Sequence, residues 1–347
     1  MTGARSPLGQ PDRYSRQRRV AGIGETGQTR LREATVLVVG CGALGTHALD
    51  ALARAGVGRL LVVDRDVVEW SNLQRQVLFR EADAIAGLPK AVAAAQRLGE
   101  VNHEVAVVPF VAQCSGAFLA RLPVQPDVVL DGTDNFHTRY LINDWCRSAQ
   151  VPWIYAGAVG AEAVAMAFPV DGPCLRCVWP DPPAAADVGN CETHGILAPA
   201  IAVVAAFQVA EAIKALVGAP PTRGALTVDV WRGRYGVADL VGPPSTTCPC
   251  CARREYPALL EGDVGVATTL CGRDAVQVEP VRGAVFDLAA YADRVAPAAS
   301  DLLRTPHLVR FNADGVRFSV FRDGRALLFG VADLLRARAL YDRWVGA

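Results

Sequence analysis

The ten residues 36–45, which read VLVVGCGALG, constrain the fold of this chain more than any other segment. Four apolar residues, typical of a strand buried on both faces, run directly into the pattern Gly40-x-Gly42-x-x-Gly45. Glycines allow a tight turn and let a phosphate approach the N-terminus of the next helix, where free N–H groups favour anions. With a helix predicted over 47–56, this order indicates a Rossmann-like nucleotide-binding turn. The alternative is a turn that only packs a helix on a sheet.

A second apolar strand, predicted over 59–64, ends in Asp64, at a spacing from the glycine turn that suits a carboxylate on the ribose hydroxyls of a nucleotide. The polar segment 65–76 follows this strand. In open parallel sheets, ligands bind beyond the carboxyl ends of the strands. The side chains of this segment that are therefore placed to reach a nucleotide are Asn72, Arg75 and Gln76.

Two later segments add charged groups. Lys90 follows Pro89 at a predicted helix start, where a lysine opposes the helix dipole and so hints at a function, although a surface lysine is the alternative. A third buried strand ends at Asp131 and continues into Asp134 and Asn135. Paired acids at the carboxyl end of a parallel strand suit a hydrated Mg²⁺ on a triphosphate. A helix cap by Asp134 or Asn135 is an alternative that does not exclude this role.

Five of the ten cysteines form two close groups. The two C-x-x-C pairs supply four thiolates at the spacing of a tetrahedral zinc site, which would clip together two ends of a domain. The predicted zinc ligands are Cys174, Cys177, Cys248 and Cys251, with Cys250 able to replace either of the last two.

Cys191 lies in a predicted loop, just before a long helix predicted over 197–217. A helix N-terminus lowers the pKa of a nearby thiol, so Cys191 is the candidate for a reactive thiolate. An inert cysteine is an equal alternative.

Composition limits the class of protein. The 35 basic and 35 acidic residues give a formal net charge of zero, which argues against a dedicated nucleic-acid or membrane-surface protein. The apolar stretch 196–207 is too short to span a bilayer. Residues 1–12 are predicted to be a disordered tail without an apolar signal core, so we expect a cytoplasmic protein.

The overall prediction is an α/β fold, with a Rossmann-like, mostly parallel sheet over 13–252. Apolar alternation over 163–168 indicates that this sheet turns antiparallel. A small α+β unit is predicted over 253–347, from three short strands joined by Asp-Gly turns and a terminal helix. The sequence assigns no chemistry to this unit.

Taken together, motifs over 13–251 resemble the ThiF/MoeB family, the bacterial relatives of ubiquitin-activating enzymes. Two small departures are Asp131-Gly-Thr, where Asp-Cys-Thr is frequent, and Cys41-Gly, where a glycine pair is frequent. The matching motifs, in the order of the family, are Arg13-Tyr-Ser-Arg-Gln17, Gly40-Cys-Gly-Ala-Leu-Gly45, Ala55-Gly-Val-Gly58, Asp64-x-Asp66, Ser71-Asn-Leu-Gln-Arg-Gln76, Gly87-x-Pro-Lys90, Asp131-Gly-Thr-Asp-Asn135 and the paired cysteines.

The resemblance implies a reaction in which ATP adenylates the C-terminal Gly-Gly carboxylate of a small ubiquitin-like sulfur carrier and releases pyrophosphate. The pathway would be thiamine, molybdopterin or a related sulfur biosynthesis. Catalysis between two anions is mostly positioning and charge neutralisation. The resemblance places Asp64 on the ribose and Asp134 on Mg²⁺. Its remaining nucleotide-site residues are the three glycines of the turn, Asp66, Asn72, Arg75, Gln76, Lys90 and Asn135, of which Asn72, Arg75 and Lys90 neutralise the phosphates.

The resemblance also implies a homodimer in which Arg16 acts across the interface, and a Zn²⁺ in the paired cysteines. Cys191 falls in the cysteine-bearing loop of the family, whose thiol reacts in some members and is dispensable in others. A cysteine desulfurase or a rhodanese would supply the sulfur.

Two other readings compete with carrier adenylation. The same fold adenylates small molecules or tRNA in related dehydratases, and the paired cysteines and the Cys191 loop favour the carrier version. A nicotinamide-dependent oxidoreductase would explain 40–64 but not 71–76, Lys90 or the zinc cysteines.

Overall fold

The computed structural model describes residues 12–183, 194–239, 242–260, 268–269, 275–280 and 286–346. The chain divides into two compact units, Met1–Gly262 and Asp263–Ala347, which are described separately. The first unit runs past residue 252, where the sequence predicts a boundary. A backbone N–H that lies beyond residue 252 explains part of this extension, since Ala258 donates to Asp144 Oδ2 over 2.9 Å.

Eight of the strands that the structure describes form one sheet in the first unit, in the order β3-β2-β1-β4-β5-β6-β7-β8. Strands β1 to β5 run parallel, and β6, β7 and β8 continue the sheet antiparallel, which confirms the predicted turn of the sheet. The strands are β1 Thr35–Val39, β2 Arg59–Asp64, β3 Ala106–Val111, β4 Val128–Asp131, β5 Trp153–Val159, β6 Glu162–Phe168, β7 Ala225–Asp229 and β8 Arg234–Ala238.

Helices cover both faces of this sheet, as expected of strands whose successive side chains are all apolar. In β1, Val36 and Val38 belong to one core, whereas Leu37 and Val39 belong to a second core on the other face. The helices are α1 Gly24–Glu33, α2 Ala43–Ala55, α3 Glu81–Ala86, α4 Lys90–Val101, α5 Gly116–Leu119, α6 Phe136–Ala149, α7 Leu175–Val178, α8 Ala198–Val217 and α9 Pro257–Leu260.

Helix α8, Ala198–Val217, confirms the long helix predicted over 197–217. By length and composition alone, this helix of 20 residues, with an 18-residue window of mean hydropathy 1.9, is sufficient to cross a membrane. A core helix meets the same criterion, and α8 packs against α1, α2 and strands β4 to β7. Its interior also carries two buried polar side chains, Gln208 and Glu211.

The second unit contains an antiparallel sheet in the order β11-β12-β13-β14-β10-β9. The predicted Asp-Gly turns lie at Asp314-Gly315 and Asp323-Gly324, as the strand bounds confirm. Sequence patterning missed the first three strands and the first helix of this unit. The elements are β9 Thr268–Thr269, β10 Ala275–Val278, α10 Leu288–Val295, β11 Ser300–Arg304, β12 Leu308–Ala313, β13 Val316–Phe321, β14 Ala326–Phe329 and α11 Leu334–Trp344.

Candidate active site

The glycine turn packs directly on the end of β4. Gly40 has a positive φ of 90°, and a Cβ added to it would lie 2.6 Å from the Gly132 carbonyl oxygen. A Cβ on Gly132 would lie 2.4 Å from the Gly40 carbonyl oxygen, so neither position accepts a side chain. We call the glycine turn, the segment 64–76, Lys90 and the segment 132–135 the nucleotide corner.

Helix α2 begins at Ala43, so the predicted start at His47 was wrong by four residues. Gly45 therefore lies inside the first turn of the helix, where a Cβ would come within 2.0 Å of the Gly40 carbonyl oxygen. The N-cap is Gly42, and no side chain in the described part of the chain caps the helix. A Cβ on Gly42 would have its nearest neighbour, the Gly132 carbonyl oxygen, only at 3.8 Å. The uncapped helix N-terminus is thus suited to an anion such as a phosphate.

The carboxylate of Asp64 holds the end of β2 against the glycine turn. Its Oδ2 accepts the Cys41 N–H over 2.6 Å, and its Oδ1 accepts the Asp66 N–H over 2.7 Å. Burial raises the pKa of Asp64, and Lys90 opposes this effect. The predicted ribose contact stays a prediction.

Lys90 is the first residue of α4 and is almost fully buried. Its Nζ lies 3.1 Å from Asp66 Oδ2, so a carboxylate offsets the unfavourable position of this lysine at a helix N-terminus. The two residues predicted for the nucleotide site therefore form an ion pair at the corner.

The segment 71–76 brings two buried amides to the corner. Asn72 Oδ1 accepts the Glu69 N–H over 3.0 Å, which caps the short 3₁₀ helix Trp70–Asn72. The side chain of Gln76 is only 3% exposed, and its Oε1 has no hydrogen-bond partner among the described residues. Its Nε2 lies 3.9 Å from the place of a Cβ on Gly42. A buried amide oxygen without a partner beside a phosphate-type turn suits a site that binds a polar ligand.

Arg75 is partly exposed, and its Nη1 donates to the Ser71 carbonyl oxygen over 2.7 Å. This contact keeps the guanidinium beside the 3₁₀ helix at the same corner.

The acids after β4 have different environments. Asp131 is fully buried, with Oδ2 at 3.1 Å from Arg139 Nε and Oδ1 accepting the N–H and O–H of Thr133. Burial raises the pKa of Asp131, and Arg139 opposes this effect. The prediction of an acid pair on Mg²⁺ was therefore wrong for Asp131. Asp134 is exposed, and Asn135 caps α6 by accepting the Thr138 N–H over 2.9 Å.

Arg16 lies far from the corner of its own chain. Its neighbour Tyr14 packs on Gly56, and Gln17 Nε2 donates to the Ala55 carbonyl oxygen over 2.8 Å, so this segment is fixed at the C-terminal end of α2. The glycine turn precedes the other end. A helix of 13 residues is about 20 Å long, which exceeds the reach of an arginine side chain.

The two C-x-x-C pairs meet. The sulfur atoms of Cys174, Cys177, Cys248 and Cys251 all lie within 4.8 Å of one another, and three of the pairs are 3.6–4.0 Å apart. Four thiolates around a tetrahedral Zn²⁺ are separated by about 3.8 Å, so the donor set fits that ion. The neighbouring Cys174 thiol and burial raise the pKa of Cys177 to about 12 in the absence of a metal. We call these four residues the cysteine clip.

Buried polar side chains of helix α6 anchor the segment of the cysteine clip that follows Cys174. The Leu175 N–H donates to Asn143 Oδ1 over 2.8 Å, and Arg176 makes two bonds of 2.8 and 2.9 Å to Asp144. Cys250 lies outside the clip, because its thiol donates to Asp144 Oδ1 over 3.1 Å.

Cys191 lies outside the described residues, as does the tail 1–11. Sequence reasoning missed Arg139, which is buried between Asp131 and the next strands. A signal for it exists: a buried acid at a strand end needs a cation, and Arg139 is the first basic residue of the following helix.

Comparison with known proteins identifies the family. The model of the ThiF family matches residues 14–250. A relative from Bacillus subtilis, named sulfur carrier protein ThiS adenylyltransferase, is 36% identical over 335 residues, which cover 96% of this chain and 99% of the relative. The adenylyltransferase and sulfurtransferase MOCS3 of Sus scrofa is 38% identical over 85% of this chain and 68% of its own.

Among solved structures, Escherichia coli MccB with ATP superposes with a TM-score of 0.60 at 25% identity, covering 70% of this chain and 75% of that chain. The match to the family model spans more than half of the chain, and the Bacillus relative is matched over nearly its whole length. The chain belongs to the ThiF family.

Proposed function

We propose that this chain uses ATP to adenylate the C-terminal Gly-Gly carboxylate of a small ubiquitin-like sulfur carrier. One carboxylate oxygen attacks the α-phosphorus, the bond between the α- and β-phosphates breaks, and pyrophosphate leaves. The observation that carries the proposal is the nucleotide corner, where an uncapped helix N-terminus, the ion pair of the buried Lys90 with Asp66 and the exposed Asp134 converge at one edge of the sheet. The name of the Bacillus relative supplies a sulfur carrier protein as the substrate.

The chemistry requires neutralisation of two anions. The amides at the start of α2 bind the phosphates, and Arg75 and Lys90 add positive charge. Asp64 accepts the ribose hydroxyls, while Asn72, Gln76 and Asn135 shape the corner. Lys90 exchanges part of its contact with Asp66 for phosphate, because an ammonium group donates three hydrogen bonds.

Asp134 organises Mg²⁺ on the triphosphate. It is the exposed carboxylate of the segment, whereas Asp131 is occupied by Arg139. Mg²⁺ keeps several waters and is bound through one or two carboxylates together with substrate phosphates, which suits a single protein acid.

The active form is a homodimer in which Arg16 of the partner subunit completes the corner. The distance along α2 supports this arrangement, since the Arg16 of the same chain lies at the opposite end of the helix. A guanidinium matches phosphate oxygens and remains charged at all relevant pH values.

The cysteine clip holds Zn²⁺ as a structural ion, because four thiolates close its coordination shell and leave no open position for a substrate. Adenylation belongs to the first unit, and the second unit is an extension that the Bacillus relative shares over its matched length.

Cys191 is the candidate thiol for covalent transfer, and a cysteine desulfurase or a rhodanese supplies the sulfur.

We place the enzyme in the cytoplasm. In support, the cysteines in the described part of the chain are all free thiols.

The test mixes the purified chain with ATP, Mg²⁺ and each small Gly-Gly-ending carrier from the same genome. Exchange of pyrophosphate into ATP and the intact mass of the carrier are measured together. We expect exchange with one carrier, which identifies the pathway as thiamine, molybdopterin or a related sulfur biosynthesis. The matched control is the same carrier without its last glycine, which removes the attacking carboxylate from its place.

Failure with every carrier, in protein that contains metal and is dimeric, would contradict the proposal. Exchange that depends on a small molecule or on tRNA would instead establish the competing adenylation on the same fold.

A further inference from the structure

The backbone pairing of strands β4 and β5 ends beside the nucleotide corner. Their backbones pair at Val129↔Trp153 and Leu130↔Ile154, after which β4 ends at Asp131. Strand β5 continues to Val159 and pairs with β6 over its whole length. The sheet therefore splits immediately before the segment that leads to Asp134.

Gln208 enters this split from the α8 face of the sheet. Its Nε2 donates to the carbonyl oxygens of Asp131 and Ile154, both over 2.8 Å, and the side chain is fully buried. One side-chain amide thus links the two strands where their backbones no longer pair. A buried amide costs free energy unless it is hydrogen-bonded, and the two bonds in the split satisfy the donor group of Gln208.

Arg139 enters the split from α6 on the opposite face. Its Nη2 donates to the carbonyl oxygens of Thr133 and Ala156, over 2.9 and 3.3 Å, while its Nε donates to Asp131 Oδ2. The planar guanidinium therefore connects the segment after β4 with the continuing strand β5. A lysine carries the same charge but lacks this rigid fork of donors.

We propose that Arg139 and Gln208 are positioning residues that orient Asp134 toward the magnesium–nucleotide complex. The inference rests on the proposed function, in which Asp134 organises Mg²⁺. Arg139 holds the Thr133 carbonyl, which belongs to the peptide bond that leads into Asp134, and Gln208 holds the Asp131 carbonyl at the start of the segment. Neither side chain touches the nucleotide in this arrangement.

The reason for two braces is geometric. A catalytic group misplaced by 1 Å loses much of its effect, and Asp134 stands on an exposed segment rather than on a strand or helix. Bracing the backbone from both faces of the sheet fixes that segment while the carboxylate stays open to solvent and ligand.

The experiment measures ATP binding by titration calorimetry over a series of Mg²⁺ concentrations, with the full-length dimer. Arg139→Lys keeps a charge opposite Asp131 but loses the fork, and Gln208→Met removes both hydrogen bonds at similar volume. We expect the Mg²⁺ concentration for half-maximal strengthening of ATP binding to rise about tenfold in Arg139→Lys and about threefold in Gln208→Met. Binding of ATP without Mg²⁺ changes less than about twofold, because the glycine turn and Lys90 are untouched.

The matched control is Arg147→Lys, on the same helix. Arg147 donates to the carbonyl oxygens of Pro169, Val170 and Gly172, so the variant loses a comparable set of arginine hydrogen bonds away from the corner. It is expected to lower the melting temperature and to leave the Mg²⁺ midpoint at the wild-type value.

A lower melting temperature with a wild-type Mg²⁺ midpoint in both variants would reduce Arg139 and Gln208 to structural residues and overturn the inference. If Arg139→Lys does not fold, Gln208→Met decides alone. A wild-type protein whose ATP binding ignores Mg²⁺ would overturn the magnesium role of Asp134, and the inference with it. Failure of carrier-dependent exchange alone, with the Mg²⁺ shifts present, would contradict the proposed substrate but not the positioning role.

Discussion

The nucleotide corner and the cysteine clip are built on opposite principles. At the corner, rigid backbone carries groups that remain open, such as the uncapped start of α2 and the exposed Asp134. In the clip, all four sulfurs turn toward one another within 4.8 Å. The first arrangement suits a ligand that comes and goes, and the second suits a resident ion.

One helix serves both regions. Helix α6 begins at its cap Asn135 in the corner, and Asn143 and Asp144 on the same helix anchor the segment that follows Cys174. The comparison therefore predicts that substitutions at the corner lower activity and substitutions in the clip lower stability, although the two regions share helix α6.

The largest effect is expected for Asp134→Ala. Pyrophosphate exchange should fall at least about 100-fold, because the variant loses the acid that organises Mg²⁺. The melting temperature should change by less than about 2 °C, since substitutions of exposed residues are usually worth within about 0.5 kcal/mol. A carrier-dependent pyrophosphate-exchange assay checks the expected loss of activity, and differential scanning calorimetry checks the unchanged melting temperature.

Surviving exchange in Asp134→Ala would show that another group organises Mg²⁺. A matched control is Asp171→Ala, another acid of the first unit that is exposed and lies outside the corner. It should keep both exchange and melting temperature.

The cysteine clip should show the reverse pattern. Cys174→Ser replaces a fully buried thiol at the centre of the group, and we expect loss of bound zinc and a fall in melting temperature of roughly 10 °C or more. The rate of pyrophosphate exchange should fall only in proportion to the loss of folded protein. Metal content by mass spectrometry, with the melting temperature, checks this prediction. Exchange abolished in protein that still melts like the wild type would break the division between the two regions.

A smaller effect is expected where the clip meets α6. Cys250→Ala should retain bound zinc and lose about 1–2 kcal/mol of stability, because it removes a buried thiol that donates to Asp144. Cys251→Ala is the matched control and should lose zinc. Urea denaturation and metal analysis of both variants test the assignment. The opposite outcome, with zinc kept by Cys251→Ala and lost by Cys250→Ala, would exchange the roles of these two cysteines.

The sequence predicts the signals that are contiguous and misses those that depend on packing. Short contiguous patterns predict the glycine turn, the acid at the end of β2 and the cysteine pairs. The structure brings the four clip cysteines together. Asp131 illustrates the limit. It has the same residue type and strand end as a metal acid, but its burial against Arg139 becomes visible only once α6 is placed.

Two further differences have the same cause. Cys250 is equivalent to its neighbours by spacing alone, and its orientation toward Asp144 is set by the short π-helical turn Pro249–Arg253. Gln208 bonds to Asp131 and Ile154, which lie 77 and 54 positions before it in the chain, beyond the range of any local pattern. In the second unit, β9, β10 and β11 lack the Asp-Gly turns that made β12 to β14 predictable.

The smallest effect at neutral pH concerns Tyr140, which links α6 to the end of α7. Its O–H donates to the Trp179 carbonyl oxygen over 2.7 Å, and the Arg176 guanidinium stacks on its ring. Tyr140→Phe should cost about 1 kcal/mol at pH 8, the value of one hydrogen bond. Burial raises the pKa of Tyr140 to about 12, above the ordinary value near 10.

This shift gives the comparison a dependence on pH. Because the folded pKa lies above the unfolded one, the contribution of the neutral phenol is complete below pH 10 and is lost as the pH rises through 12. Urea denaturation of wild type and Tyr140→Phe at pH 8, 10 and 11 isolates this group, since the thiols and the other tyrosines are present in both proteins. The stability advantage of the wild type should shrink between pH 10 and 11. A constant difference over that range would mean that Tyr140 ionises as readily in the folded protein as in the unfolded chain.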